Sequence, residues 1–116
     1  MRLLVTGGAG FIGSNFARLT LARPDVERVA VLDALTYAGH LSTIHDLRAQ
    51  PNFAFYPGKI QDSTATHGVL RAERPTHVVN FAAETHNDRS LLDPGSFILT
   101  DVFGVHVLLE ACNRFG

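Results

Sequence analysis

Four short apolar runs alternate with four helix-like runs along 116 residues, and a glycine cluster closes the first run. These observations predict an α/β fold: a doubly wound parallel sheet with helices on both faces. Alternating strands and helices build βαβ units, whose crossovers are right-handed. The first strand is Arg2–Thr6, an apolar run that stops at Gly7. Parallel strands are covered on both faces and so read as continuous apolar runs. From Phe11 to about Ala22, Ile12, Phe16, Leu19 and Ala22 recur at helical spacing, and Arg23-Pro24-Asp25 ends that helix. Arg28–Leu32 is the second strand, closed by Asp33. Leu41–Ala49 predicts a short helix with Leu41, Ile44 and Leu47 on one side, stopped by Pro51-Asn52. Phe53–Tyr56 is the third strand, ended by Pro57-Gly58. Ser63 or Asp62 caps a helix running to Glu73, and Arg74-Pro75 terminates it, because the residue before proline is pushed out of the α region. His77–Phe81 is the fourth strand. A polar loop follows from Ala82 to Asp93. Asp93 as N-cap and Pro94 at the first helical position then open a last helix striped by Ile98, Val102, Val105, Leu109 and Cys112.

Composition narrows the class. Hydrophobic residues make up 46% and charged residues 18%, with a formal net charge of −1. A chain of this size buries about two-thirds of its unfolded surface, enough for one domain over residues 1–116. The apolar content excludes intrinsic disorder. The near-neutral charge leaves no footprint for nucleic acid or an acidic membrane surface. The apolar runs are too short to span a bilayer, and Gly7, Gly8 and Gly10 interrupt any secretory leader. The single cysteine, Cys112, excludes an internal disulfide framework. The expected location is the cytoplasm. Nine of the ten basic residues are arginine, which leaves Lys59 as the sole lysine.

The segment Thr6-Gly-Gly-Ala-Gly-Phe-Ile-Gly13 carries the chemistry. It contains Gly8-x-Gly10-x-x-Gly13 and, one residue earlier, Gly7-x-x-Gly10-x-x-Gly13. Alone the pattern is weak, but here a strand precedes it and an amphipathic helix follows. Glycines permit a tight turn, close approach to a pyrophosphate and close helix–sheet packing. The helix N-terminus then offers free N–H groups and a partial positive charge to phosphates. Asp33 lies twenty residues after Gly13, where a carboxylate accepts hydrogen bonds from a ribose diol and repels a 2′-phosphate. NAD is therefore the expected cofactor rather than NADP. The histidines show no metal-ligand spacing, so no metal site is expected.

Three further stretches carry a family resemblance. Asp33-Ala-Leu-Thr-Tyr-Ala-Gly39, Asn80-Phe-Ala-Ala-Glu-Thr-His-Asn-Asp-Arg-Ser90 and Phe97-Ile-Leu-Thr-Asp-Val-Phe-Gly104 resemble segments of the dTDP-glucose 4,6-dehydratases, extended short-chain dehydrogenases. The resemblance runs from Arg2 to Gly116 without a gap. It implies a Rossmann-type sheet with strand order 3-2-1-4, incomplete relative to the family. It implies that Phe11 and Ile12 cover the pyrophosphate with backbone N–H groups, within a cofactor-binding loop that includes Gly7, Gly10 and Gly13, and that Asp33, Ala34, Leu35 and Thr36 hold the adenosine ribose. Lys59 and Ile60 stand where the family binds adenine. Phe81, Ala82, Ala83 and Thr85 line the nicotinamide side, and Thr100 touches the cofactor from the last helix. Thr85 and His86 border the hexose of a nucleotide-sugar substrate such as dTDP-glucose.

The implied chemistry is internal redox. Hydride leaves C4 of the hexose for NAD⁺, water is lost across C5–C6, and the hydride returns to C6. That chemistry needs a Tyr-x-x-x-Lys pair, and the two tyrosines, Tyr37 and Tyr56, do not form one with Lys59. No catalytic residue is therefore assigned, and the chain by itself is expected to be inactive. The alternatives are a non-catalytic NAD-binding module and part of a related nucleotide-sugar epimerase. Two departures from the family pattern stand out: Lys59 for the usual Asp, and Asp101 for the usual Asn. Changes at His40, Thr85 and Asn87 are milder. The full-length family is expected to be homodimeric. The fourth strand, if unpaired on its outer side, is an edge that invites self-association of this chain.

Overall fold

In the computed structural model, residues 1–34, 41–81 and 104–115 are described. Strand β1 (Arg2–Thr6) is the centre of a four-stranded parallel sheet in the order β3-β2-β1-β4, with β2 at Arg28–Asp33, β3 at Phe53–Pro57 and β4 at His77–Asn80. Leu3 pairs with Val29 on one side and His77 on the other, and the register continues to Thr6 opposite Leu32 and Asn80. β2 and β3 are joined by Val29 opposite Phe53 through Asp33 opposite Pro57.

Two apolar layers form because successive strand residues point to opposite faces. Leu3, Val5, Val29 and Val31 pack on one face with Ala17 of helix α1 (Phe11–Leu21) and with Ile44 and Leu47. Leu4, Ala30 and Leu32 pack on the other with Val69 and Leu70 of a helix at Ser63–Glu73 and Ala111 of a helix at Val105–Phe115. Each such buried branched side chain stabilises by about 1.5–3 kcal/mol. This layering, rather than the exposed ion pairs at about 0–1 kcal/mol each, holds the sheet.

The expected helix over Leu41–Ala49 is instead a 3₁₀ turn, Leu41–Ile44, followed by the four-residue helix α2, His45–Arg48. Ser42 and Thr43 are poor helix formers, and Ile44 (φ −112°, ψ 16°) breaks the helical path. Arg18 of α1 clamps this segment: it donates to both Asp46 carboxylate oxygens at 2.8 and 2.9 Å and to the Thr43 carbonyl. The hydrogen bonds from Arg18 pull the Asp46 carboxyl down to about 2.

Helix α3 (Ser63–Glu73) starts as expected. The Asp62 side chain accepts from the Ala65 amide at 3.2 Å, which caps a first-turn donor. It ends at Arg74, in the left-handed region at φ 47°, because Pro75 disfavours the α conformation there. Helix α4 (Val105–Phe115) packs against α3; its expected start at Asp93 lies outside the described residues.

Glu73 is buried at the end of α3. Arg28 donates to both its oxygens (2.6 and 3.2 Å), and the Tyr56 hydroxyl donates as well. Burial pushes the Glu73 carboxyl up, but the bonds from Arg28 and Tyr56 outweigh it and leave it below the ordinary range. Its folded-state value is thus lower than its unfolded one. Its stabilisation is complete above the ordinary glutamate value and is lost as pH falls through the lowered one. Glu73→Gln is expected to cost about 1–3 kcal/mol at pH 7. The difference from the unaltered chain should shrink in thermal melts as pH falls below the ordinary glutamate range; a constant difference throughout acid titration would contradict this account.

Candidate functional site

Ligands of open parallel sheets bind beyond the strand C-termini, where the strand order reverses. Here that point lies between β1 and β4. At its rim Thr6 donates to the Asn80 side chain, and the Phe81 amide donates to the Thr6 carbonyl at 2.7 Å. The Phe81 ring rests on Phe16 of α1, with centroids 5.3 Å apart, so the end of β4 is pinned to the helix that leaves the glycine loop.

The loop is built from close contacts. Gly7 has φ 73°, which a side chain rarely tolerates, and its amide donates to the Leu32 carbonyl at 2.9 Å. A Cβ on Gly8 would lie 2.7 Å from the Val31 methyl groups. One on Gly13 would lie 2.4 Å from the Gly7 carbonyl oxygen and 2.9 Å from the Gly8 Cα. The three glycines thus let a loop lie on β2 and a helix lie on the loop.

Helix α1 starts from this cradle with Gly10 as N-cap. No side chain caps it, and no acidic residue occupies its first turn. First-turn amides have no intrahelical acceptor, and the dipole makes this end positive. Phe11 and Ile12 are 80% and 68% exposed despite being apolar. The uncapped, acid-free helix start leaves its first-turn amides open to an anion such as a phosphate.

Asp33 ends β2 beside the cradle, 8% exposed. Its carboxylate accepts from the buried Ala9 amide at 2.8 Å. It therefore braces the glycine loop, a role that sequence reading missed because a backbone donor has no side-chain signature. The contribution of Gly8 was open to sequence reading, since it is the first glycine of the Gly8-x-Gly10-x-x-Gly13 register.

Beyond Asp33, Ala34 is half-buried, and the Gly58 amide donates to the Asp33 carbonyl at 3.0 Å. This brings the segment after β3 to the same end of the sheet. There Lys59 is exposed and the Ile60 side chain is buried in the core. The structure thus brings together Gly7, Gly10, Phe11, Ile12, Gly13, Asp33, Ala34, Lys59, Ile60 and Phe81 at the C-terminal ends of the strands. Leu35, Thr36, Ala82, Ala83, Thr85, His86 and Thr100 lie outside the described residues. A groove of about 680 Å³, lined by Leu70, Arg74, Thr76, Val78, Cys112 and Arg114 among others, opens near the start of β4. It is at the opposite end of the sheet from the glycine cradle and takes no part in it.

The family model described as GDP-mannose 4,6 dehydratase matches residues 4–116. The chain belongs to that dehydratase family. A dTDP-glucose 4,6-dehydratase of Xanthomonas campestris pv. campestris (strain B100) is 49% identical over 112 residues, which are 97% of this chain and 31% of the relative. The solved dTDP-glucose 4,6-dehydratase of Streptomyces venezuelae, crystallised with NAD bound, superposes with a TM-score of 0.91 at 45% identity. That match covers 100% of this chain and 37% of that one. A UDP-glucose 4-epimerase of Thermus thermophilus, also with NAD, superposes with a TM-score of 0.87 at 37% identity, covering 100% and 35%. The chain therefore spans about a third of the length of the relatives it matches. The sheet order and the helices on both faces are those expected of the family.

Proposed function

We propose that this chain is the NAD-binding part of a nucleotide-sugar 4,6-dehydratase, with dTDP-glucose as the substrate of the whole enzyme. The observation that carries the reading is the glycine cradle opening onto an uncapped, acid-free helix N-terminus, with Asp33 beside it. In this reading the first-turn amides at Phe11, Ile12 and Gly13 bind the pyrophosphate, and Asp33 with Ala34, Leu35 and Thr36 binds the ribose. Phe81, Ala82, Ala83, Thr85 and Thr100 border the nicotinamide, and Thr85 with His86 borders the hexose. NAD supplies a reversible hydride acceptor. The chain contributes binding and orientation, because no Tyr-x-x-x-Lys pair lies within its 116 residues.

Titration calorimetry with NAD tests this. Saturable binding in the micromolar range supports the reading, and absence of heat at millimolar NAD overturns it. Mixing the chain with dTDP-glucose and NAD is expected to give no keto-sugar. A nucleotide-sugar epimerase is the second reading, favoured by the epimerase likeness. The Asp33–Gly39 and Asn80–Ser90 segments weigh against it, since they resemble the dehydratases specifically.

A cytoplasmic location belongs to the same reading, supported by the single cysteine. Among the described residues no helix is long and apolar enough to cross a membrane. In the described part β4 pairs with β1 alone, which supports self-association of the chain along that edge. Sedimentation at rising concentration checks this, and a strictly monomeric chain would count against it.

A further inference from the structure

The strand order places the parts of a dinucleotide in sequence across the sheet. The pyrophosphate cradle stands above β1, the ribose carboxylate Asp33 ends β2, and the next position outward is the end of β3. The purine of a dinucleotide therefore falls against the segment Gly58-Lys59-Ile60. The backbone of that segment is held on both sides. The Gly58 amide donates to the Asp33 carbonyl at 3.0 Å, and the Asp62 amide donates to the Lys59 carbonyl at 3.0 Å. The Thr66 hydroxyl donates to the Ile60 carbonyl at 3.0 Å, and the Ile60 side chain is buried. What faces outward is the Lys59 side chain, which is exposed and forms no ion pair among the described residues. The Asp62 carboxylate nearby is engaged with the Ala65 amide.

We infer that Lys59 reads the edge of the cofactor's purine and tilts this site from the 6-amino purine of NAD toward a 6-oxo purine. This rests on the NAD reading above. An ammonium has three donors and no acceptor. Adenine presents an amine donor at its 6-position, which an ammonium cannot bond, and only a ring nitrogen as acceptor on that edge. Hypoxanthine presents a carbonyl oxygen at the same position, which an ammonium bonds with charge assistance. The bond is reversible recognition, with no covalent step.

The test is calorimetry with NAD and with nicotinamide hypoxanthine dinucleotide on the whole chain, on Lys59→Asp and on Lys59→Met. The hypoxanthine dinucleotide is expected to bind the unaltered chain at least as tightly as NAD. Lys59→Asp, which replaces donors by acceptors, is expected to move the affinity ratio about tenfold toward NAD, with Lys59→Met between them. Lys59 is exposed, so neither substitution threatens the fold. If both dinucleotides bind and Lys59→Asp leaves their ratio unchanged, the inference falls while the NAD reading stands. If neither dinucleotide binds the unaltered chain, the NAD reading falls, and the inference falls with it.

Discussion

Gly13→Ala is expected to lower NAD affinity by more than about tenfold and to destabilise the chain by at least about 1–3 kcal/mol. The added methyl would sit 2.4 Å from the Gly7 carbonyl oxygen and 2.9 Å from the Gly8 Cα. Both obstacles are backbone, so no side-chain rotation relieves the clash. Either α1 withdraws from the sheet or the loop deforms. Withdrawal disturbs the packing of Ala17 against Val5 and Val31. Deformation disturbs the Gly7 carbonyl that accepts from the Gly10 amide at 3.2 Å, and with it the N-cap. Both routes move the first-turn amides away from the position a phosphate requires. The same substitution at Gly68 is the control. That glycine is mid-helix in α3, and an added methyl there would meet nothing within 4 Å, so alanine should stabilise by about 0.5–1 kcal/mol. Urea melts and NAD calorimetry on both variants check the contrast. A Gly13→Ala chain that binds NAD within threefold of the unaltered one would refute the packing argument.

The contrast shows what a sequence can and cannot carry. β1 and β2 were legible because both their faces are covered, which leaves Leu3, Leu4 and Val5, and Val29 to Leu32, as unbroken apolar runs. The ends of α3 were legible because capping and proline act locally: Asp62 caps its start, and Pro75 forces Arg74 out of the helix. Leu41 to Ala49 reads as one continuous helix because Leu41, Ile44 and Leu47 recur every three residues, a spacing that a 3₁₀ turn followed by a single helical turn satisfies as well; Arg18 of α1 then holds the 3₁₀ turn. That clamp joins residues 25 or more positions apart, and periodicity does not record it. Glu73 is a similar case. In the sequence it is the last residue of a helix, whereas in the fold it is a buried carboxylate held from two strands. The glycine pattern was visible in the candidate site, but the division of labour among its glycines was not, because it depends on how closely Val31 and Gly7 approach.

Asp33 is where that difference has the largest consequence for function. Read from its position, it is a ribose acceptor, and removing it should weaken NAD binding and open the site to NADP. The geometry predicts otherwise for the second half. The carboxylate accepts from the Ala9 amide at 2.8 Å, and Ala9 is fully buried. In Asp33→Ala that amide loses its acceptor in a place water does not reach, at a cost of about 1–3 kcal/mol. The glycine loop then loses its brace. NAD affinity should fall by more than about tenfold, and NADP affinity should not rise, because in the proposed function both cofactors lie on the same loop. Asp33→Asn separates the two roles. Its amide oxygen can still accept from Ala9, so stability should stay within about 1 kcal/mol of the unaltered chain while the charge facing a ribose is gone. Hydrogen exchange at the Ala9 amide reads the brace directly, without any cofactor: faster in Asp33→Ala, little changed in Asp33→Asn. If Asp33→Ala instead keeps Ala9 protected and gains NADP binding, Asp33 is a ribose reader alone, and the loop is held by its glycines.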